Sequence, residues 1–131
     1  MDNKEMNRIV AEKVHGWHRQ PWNAWNKDAK PLYGFWADEK DTFQESLDGY
    51  DPATNIAQAF EAAEAFRIQH GDAECRWTFY SPMGGDSEYE ANIILNDPDS
   101  KKDYHRINYE GDADTPAQAI TEALVKAVSD E

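Results

Sequence analysis

A single cysteine, Cys75, stands in the 131 residues, so the chain cannot close a disulfide on itself and a reducing compartment is expected. Basic side chains are scarce too. Lys and Arg total 13 against 26 Asp and Glu, a formal charge of −13 with histidines neutral. General nucleic-acid binding needs a cationic face for phosphates, and anionic lipid needs the same, so neither partner fits. No apolar run approaches the ~20 residues of a membrane span. The opening MDNKEMNRIV lacks the apolar stretch of a secretion signal. These absences leave an acidic, soluble, cytoplasmic protein, expected as one domain over residues 1–131.

Aromatic residues make up 12% of the chain, with five Trp, and they argue for a packed core despite the charge. Charge and aromatics are unevenly spread. Residues 1–50 carry 7 basic and 9 acidic side chains, whereas residues 51–131 carry 6 and 17. Within 13–36, Lys13, Arg19, Lys27 and Lys30 face only Asp28, and four tryptophans (Trp17, Trp22, Trp25 and Trp36) share that stretch. The acid sits elsewhere.

The apolar period predicts a helix over 3–15, with Met6, Ile9, Val10 and Val14 on one face, Asp2 or Asn3 as cap and Gly16 as stop. From Trp17 to Gly49 no period holds, and PLYGFWA at 31–37 is the one strand suggested there. A second helix is predicted over 52–69. Asp51-Pro52 reads as its cap and first position, with Thr54 competing, and Ile56, Phe60, Ala63 and Arg67 lie along one side, flanked by Ala59 and Phe66. Alternation then predicts strands over 74–80, 88–95 and 103–109, joined by hairpin turns. Thr115-Pro116-Ala117-Gln118 makes a capping box for a last helix over 116–128, buried through Ile120, Ala123, Leu124, Ala127 and Val128. The class is α+β: an antiparallel sheet of three or four strands covered by helices on one or both faces.

Three segments, RIVAEKVHGW at 8–17, YDPATNIAQAFEAAEAF at 50–66 and ADTPAQAITEALVKAV at 113–128, together resemble the phage ABA sandwich domain family over nearly the whole chain. The resemblance implies an α/β/α sandwich and a bacteriophage or prophage origin. It implies no catalytic residue, because the matching motifs are helix starts and stops. The Trp-rich stretch at 17–48 reads as an irregular insertion into such a domain.

Candidate chemistry is thin. His15 and His18 form an H-x-x-H interrupted by Gly16, too few ligands for zinc, and no metal or other cofactor is expected. Cys75 alternates with Trp77 and Phe79, which favours a small core side chain over a nucleophile. DPDSKKD at 97–103 lacks the glycine and glutamate of a calcium loop, and Gly84-Gly85 lacks the lysine of a phosphate loop. The aromatic–basic stretch says most. Trp17, Trp22, Trp25 and Trp36 offer faces for a purine, Arg19 and Lys27 can neutralise phosphate, and His18 adds a donor. Arg76, Tyr104 and Arg106 are candidates for an opposite wall. The same tryptophans could instead cover the sheet or a subunit contact.

Without an acid–base constellation, the expected role is binding and not catalysis. A phage accessory protein that sequesters a nucleotide immune signal of its host, ADP-ribose-derived or cyclic, in the infected cytoplasm fits these features by analogy. An acidic inhibitor of a host defence protein, of the DNA-mimic kind, or an enzyme degrading the same signal are the alternatives. Exposed aromatics from an irregular stretch favour a homo-oligomer, most simply a dimer.

Overall fold

The computed structural model describes residues 1–21, 34–71, 74–79, 89–96 and 106–130. The elements run α1 (Asn3–Ile9) with a π-helical extension (Val10–Val14), β1 (His18–Pro21), β2 (Gly34–Ala37), β3 (Phe43–Ser46), α2 (Ile56–Gln69), β4 (Glu74–Phe79), β5 (Tyr89–Asn96), β6 (Arg106–Ala113) and α3 (Pro116–Ser129). The expected α+β class holds, with two antiparallel three-stranded sheets, ordered β1-β2-β3 and β4-β5-β6. The first sheet is the addition, because the sequence suggested only the strand that became β2. Strands of four residues are too short to display a period, and β1 and β3 carry mostly polar residues.

In the second sheet, the register sets Cys75 opposite Ile93 and Ile93 opposite Tyr109, with Ala91 beside Gly111. This face meets α3, whose predicted stripe of Ile120, Ala123, Leu124, Ala127 and Val128 is wholly buried. At Gly111 the helix backbone lies so close that an added Cβ would sit 2.0 Å from the Ala119 carbonyl oxygen. The glycine is what lets α3 settle on β6. It also explains why β6 runs on to Ala113, beyond the expected end at 109: Gly111-Asp112 has poor strand propensity, and packing overrides it. Tyr109 donates its hydroxyl proton to Asp130 (2.6 Å), tying the end of α3 to the strand.

The helix over 3–15 is present, but its second half widens to π geometry. The His15 N–H bonds to the Val10 carbonyl (3.2 Å) and the Trp17 N–H to that of Ala11 (2.9 Å). Asp2 caps the start, and Gly16 takes the left-handed conformation (φ 72°) that ends it. The extra residue in the last turn leaves Val10, Ala11 and Val14 all buried and turns His15 and Trp17 toward Tyr50.

Helix α2 departs from expectation at its start, which is Asn55-capped and not at Asp51-Pro52. Residues 51–54 form a turn instead, clamped to α1 by one side chain. Asn7 donates from Nδ2 to the Asp51 carboxylate (2.8 Å) and accepts the Ala53 N–H (3.0 Å). Thr54 donates to the other Asp51 oxygen, and Gln58 accepts the Asp51 N–H at 2.6 Å. The buried face of α2 is Ala59, Ala62, Ala63 and Phe66, rotated from the expected side, so Ile56 and Phe60 are 39% and 42% exposed. Small alanines permit the close approach of α2 to α3 and the π segment, which larger side chains at 56 and 60 would prevent.

Candidate functional site

Between α1, the first sheet and the β3–α2 connection lies a cleft of about 270 Å³. Asn3, Lys4, Asn7 and Arg8 form the helical wall, Arg19 and Trp36 the sheet wall, and Leu47, Asp48, Tyr50 and Asp51 the third side. Of the residues expected at a binding site, it therefore brings together Arg19 and Trp36. They face each other because they are directly paired across β1 and β2. The Arg19 guanidinium stands 5.5 Å from the Trp36 ring centroid, a cation–π contact that holds the arginine over an apolar floor.

Trp36 is only 4% exposed, so it backs the arginine and presents no open face of its own. Trp17 lies behind the cleft. Its indole stacks on His15 (4.1 Å between centroids, 11° between planes) and meets the Tyr50 ring edge-on at 5.0 Å. The two tryptophans whose side chains are described, Trp17 and Trp36, are thus packed by the protein itself, and the cationic surface left at this wall is the guanidinium of Arg19. His18 leaves β1 from the other face, where its Nε2 lies 2.8 Å from an Asp41 oxygen. His15 and His18 therefore point to different places. Arg76 lies on β4, paired with Glu74 at 2.8 Å, and does not line the cleft. Trp22, Trp25, Lys27 and Tyr104, the side chain of Arg106, and the DPDSKKD and Gly84-Gly85 segments lie outside the described residues.

Three cations line the cleft, but they are not equivalent. Arg8 is neutralised by Glu12 (2.9 Å) and lies 3.9 Å from Glu5. Lys4 and Arg19 make no ion pair among the described residues, and Asp51 is occupied by Asn7 and Thr54. Tyr50 is 4% exposed and its buried hydroxyl has no hydrogen-bond partner among the described residues. Burial, with the Glu61 charge adding to it, pushes that phenol well above its usual range, so it keeps its proton. Beside it, burial holds His15 down at about 4, a neutral ring at physiological pH.

Tyr50, Lys4 and Asp48 were missed from the sequence, since each looks like an ordinary helix-start or turn residue. One signal was available. Asn7 interrupts the apolar face between Met6 and Val10, and a polar residue there must satisfy its amide in the fold.

Two other places carry chemistry-bearing side chains. Cys75, expected in the core, is half-buried in a shallow recess with Phe60, Ala63, Glu64 and Arg67, because α2 crosses β4 with little overlap. Burial pushes its thiol up, against an opposing pull from Arg67. On the outer face of the second sheet, oxygens of Glu90, Glu110 and Asp112 come within 4.8 Å of one another. The hydrogen bond to Glu90 raises Glu110 to about 6, so the two carboxyl groups share a proton only below that pH.

No protein-family description matches the chain, and no curated protein does either. Among solved structures, a phage protein from Bacillus cereus ATCC 14579 superposes with a TM-score of 0.57. The match covers 98% of this chain and 93% of that one at 15% identity. The two share a fold. Among the described residues, no helix is long and apolar enough to cross a membrane.

Proposed function

We propose that this protein is a phage accessory protein that binds a small nucleotide-derived immune signal of its host and sequesters it without chemistry. The shared fold with a phage protein supports the setting. The observation that carries the reading is Arg19, held over Trp36 at the wall of a cleft that also contains Lys4, in a chain whose net charge is −13. Cations are few here, and two that make no ion pair among the described residues stand at one concave site, where either can meet an anionic group. A guanidinium held over an indole can stack a base or grip a phosphate.

The test is a thermal-shift and calorimetric panel of nucleotides. A ligand at 100 times its dissociation constant adds about 2.7 kcal/mol, a rise of about 10 °C for a chain of this size. The shift is expected to vanish in Arg19→Ala, and the ligand should come back chemically unchanged. The acidic patch of Glu90, Glu110 and Asp112 gives the inhibitor reading its own observation. If no nucleotide shifts the melting temperature, while charge reversal on that patch abolishes capture of a host defence protein, the inhibitor reading replaces this one.

A further inference from the structure

Resting on the proposed binding role, we infer that Asp48 is the residue that selects the ligand, accepting a pair of adjacent hydrogen-bond donors from a part of the nucleotide other than its phosphate.

The charged side chains of the cleft divide into those already engaged and those left free. Arg8 is paired with Glu12. Asp51 keeps its charge, but it already accepts at Oδ1 from Asn7 and at Oδ2 from Thr54. The side chains of Lys4, Arg19 and Asp48 make no hydrogen bond or ion pair among the described residues. Lys4 and Arg19 balance Asp48 and Asp51, so the cleft does not select by total charge. It selects by placement, with Lys4 on the helical wall, Arg19 on the sheet wall and Asp48 on the β3–α2 connection. A ligand that reaches all three sides carries acceptors at one end and donors at another.

Phosphate oxygens suit Lys4 and Arg19, and Asp48 would repel them. An ionised carboxylate accepts and cannot donate, so what Asp48 binds is N–H or O–H. Its two oxygens are best met by two donors side by side, as in other bidentate pairs. A nucleotide offers such a pair in two places, the N1–H and N2–H edge of guanine and the 2′,3′-diol of ribose. Adenine and cytosine each set an acceptor beside their amino group, which a carboxylate disfavours.

The Asp48 side chain is free, but the backbone that carries it is pinned. The Gly49 N–H donates to Ser46 Oγ (2.9 Å), and the Tyr50 N–H to the Ser46 carbonyl (3.1 Å). Gln58 donates from Nε2 to the Gly49 carbonyl (2.9 Å) and accepts the Asp51 N–H at Oε1 (2.6 Å). One glutamine of α2 thus fastens the connection on both sides of Tyr50. An acceptor mounted on fixed backbone needs little further ordering when a ligand arrives.

The experiment is calorimetry on the full chain with the 5′-monophosphates of guanosine, adenosine, 2′-deoxyguanosine and xanthosine, repeated on Asp48→Asn. That variant keeps the size and removes the charge and one acceptor, and the competing roles of Asp48 give opposite signs. A carboxylate that only stood near the phosphate would, once neutralised, leave every nucleotide bound more tightly. As a paired acceptor, its loss should weaken the best ligand by about tenfold or more. The unliganded variant should melt as the wild type does, since the Asp48 side chain has no bond within the described residues to lose. The wild type identifies the donors. If guanine supplies them, the 2′-deoxy form binds as guanosine monophosphate does and the adenosine form about tenfold more weakly. Asp48→Asn should then prefer the xanthosine form, whose C2 carbonyl accepts from the new amide. If ribose supplies them, the adenosine form binds as the guanosine form does and the 2′-deoxy form is the weak one. Unchanged or tighter binding in Asp48→Asn, or a wild type that treats all four alike, would overturn the role of Asp48 and leave sequestration standing. No binding of any of the four would overturn this inference, while the wider nucleotide panel decides the reading beneath it.

Discussion

Replacing Asn7 by alanine tests the contact that shapes both the fold and the floor of the cleft. The substitution removes two hydrogen bonds at once, one to the Asp51 carboxylate and one from the Ala53 N–H. The second loss is the graver, since Ala53 is 1% exposed and its N–H would be left without an acceptor. An unsatisfied buried donor costs roughly 1–3 kcal/mol. Asp51 is half-buried, so water can replace part of what it loses, and about 0.5–1 kcal/mol is a fair figure for that bond. Alanine is the better helix former by about 0.5 kcal/mol, which offsets some of the damage. The expected net loss is about 2 kcal/mol, a sizeable part of the roughly 7–15 kcal/mol of a domain this size. Urea denaturation followed by circular dichroism should show a lowered midpoint with an unchanged slope. Asn7→Asp should be worse still, because it sets a second carboxylate against Asp51. A loss below about 0.5 kcal/mol for Asn7→Ala would mean that the 51–54 turn holds its shape without the clamp.

Two further outcomes follow from packing and burial. Gly111→Ala places a Cβ 2.0 Å from the Ala119 carbonyl oxygen and 2.8 Å from the Ala123 nitrogen, both backbone atoms that cannot rotate away. Moving α3 to make room should cost about 3 kcal/mol or more, and a melting temperature within 2–3 °C of wild type, roughly 1 kcal/mol, would refute the close approach. His15, lowered by burial from 6.5 to about 4, takes up its proton more readily when unfolded, so its contribution is intact above pH 6.5 and lost as pH falls toward 4. That shift corresponds to about 3 kcal/mol at most. The raised Glu110 acts in the opposite sense, favouring the fold below its range and losing that contribution as pH rises toward 6, but it is solvent-screened. The urea midpoint of the wild type should therefore fall more steeply from pH 7 to pH 4 than that of His15→Phe, and parallel curves would show that His15 is not the source.

The sequence alone determined the pieces whose causes are local. A threonine cap with proline and glutamine behind it starts a helix whatever surrounds it, and α3 begins at Pro116 as the capping box requires. Gly16 stops the first helix because φ of 72° is open to glycine and strained for most other residues. Alternation placed Cys75, Ala91, Ile93 and Tyr109 on one face, because a strand has a period of two wherever it lies. What tertiary structure decided were the places where two local rules competed or none applied. Asp51-Pro52 is as good a helix start as Asn55, and the choice fell to an amide on α1, forty-four positions away from Asp51. The outward turn of Ile56 and Phe60 followed from the alanines on the opposite side of α2, which allow the closer contact. The cleft belongs wholly to this second kind. Lys4, Arg19 and Tyr50 come from a helix, a four-residue strand and a connection, and no spacing in the chain relates them. Only the packing of α1 and the β3–α2 connection against the first sheet brings them together as a site.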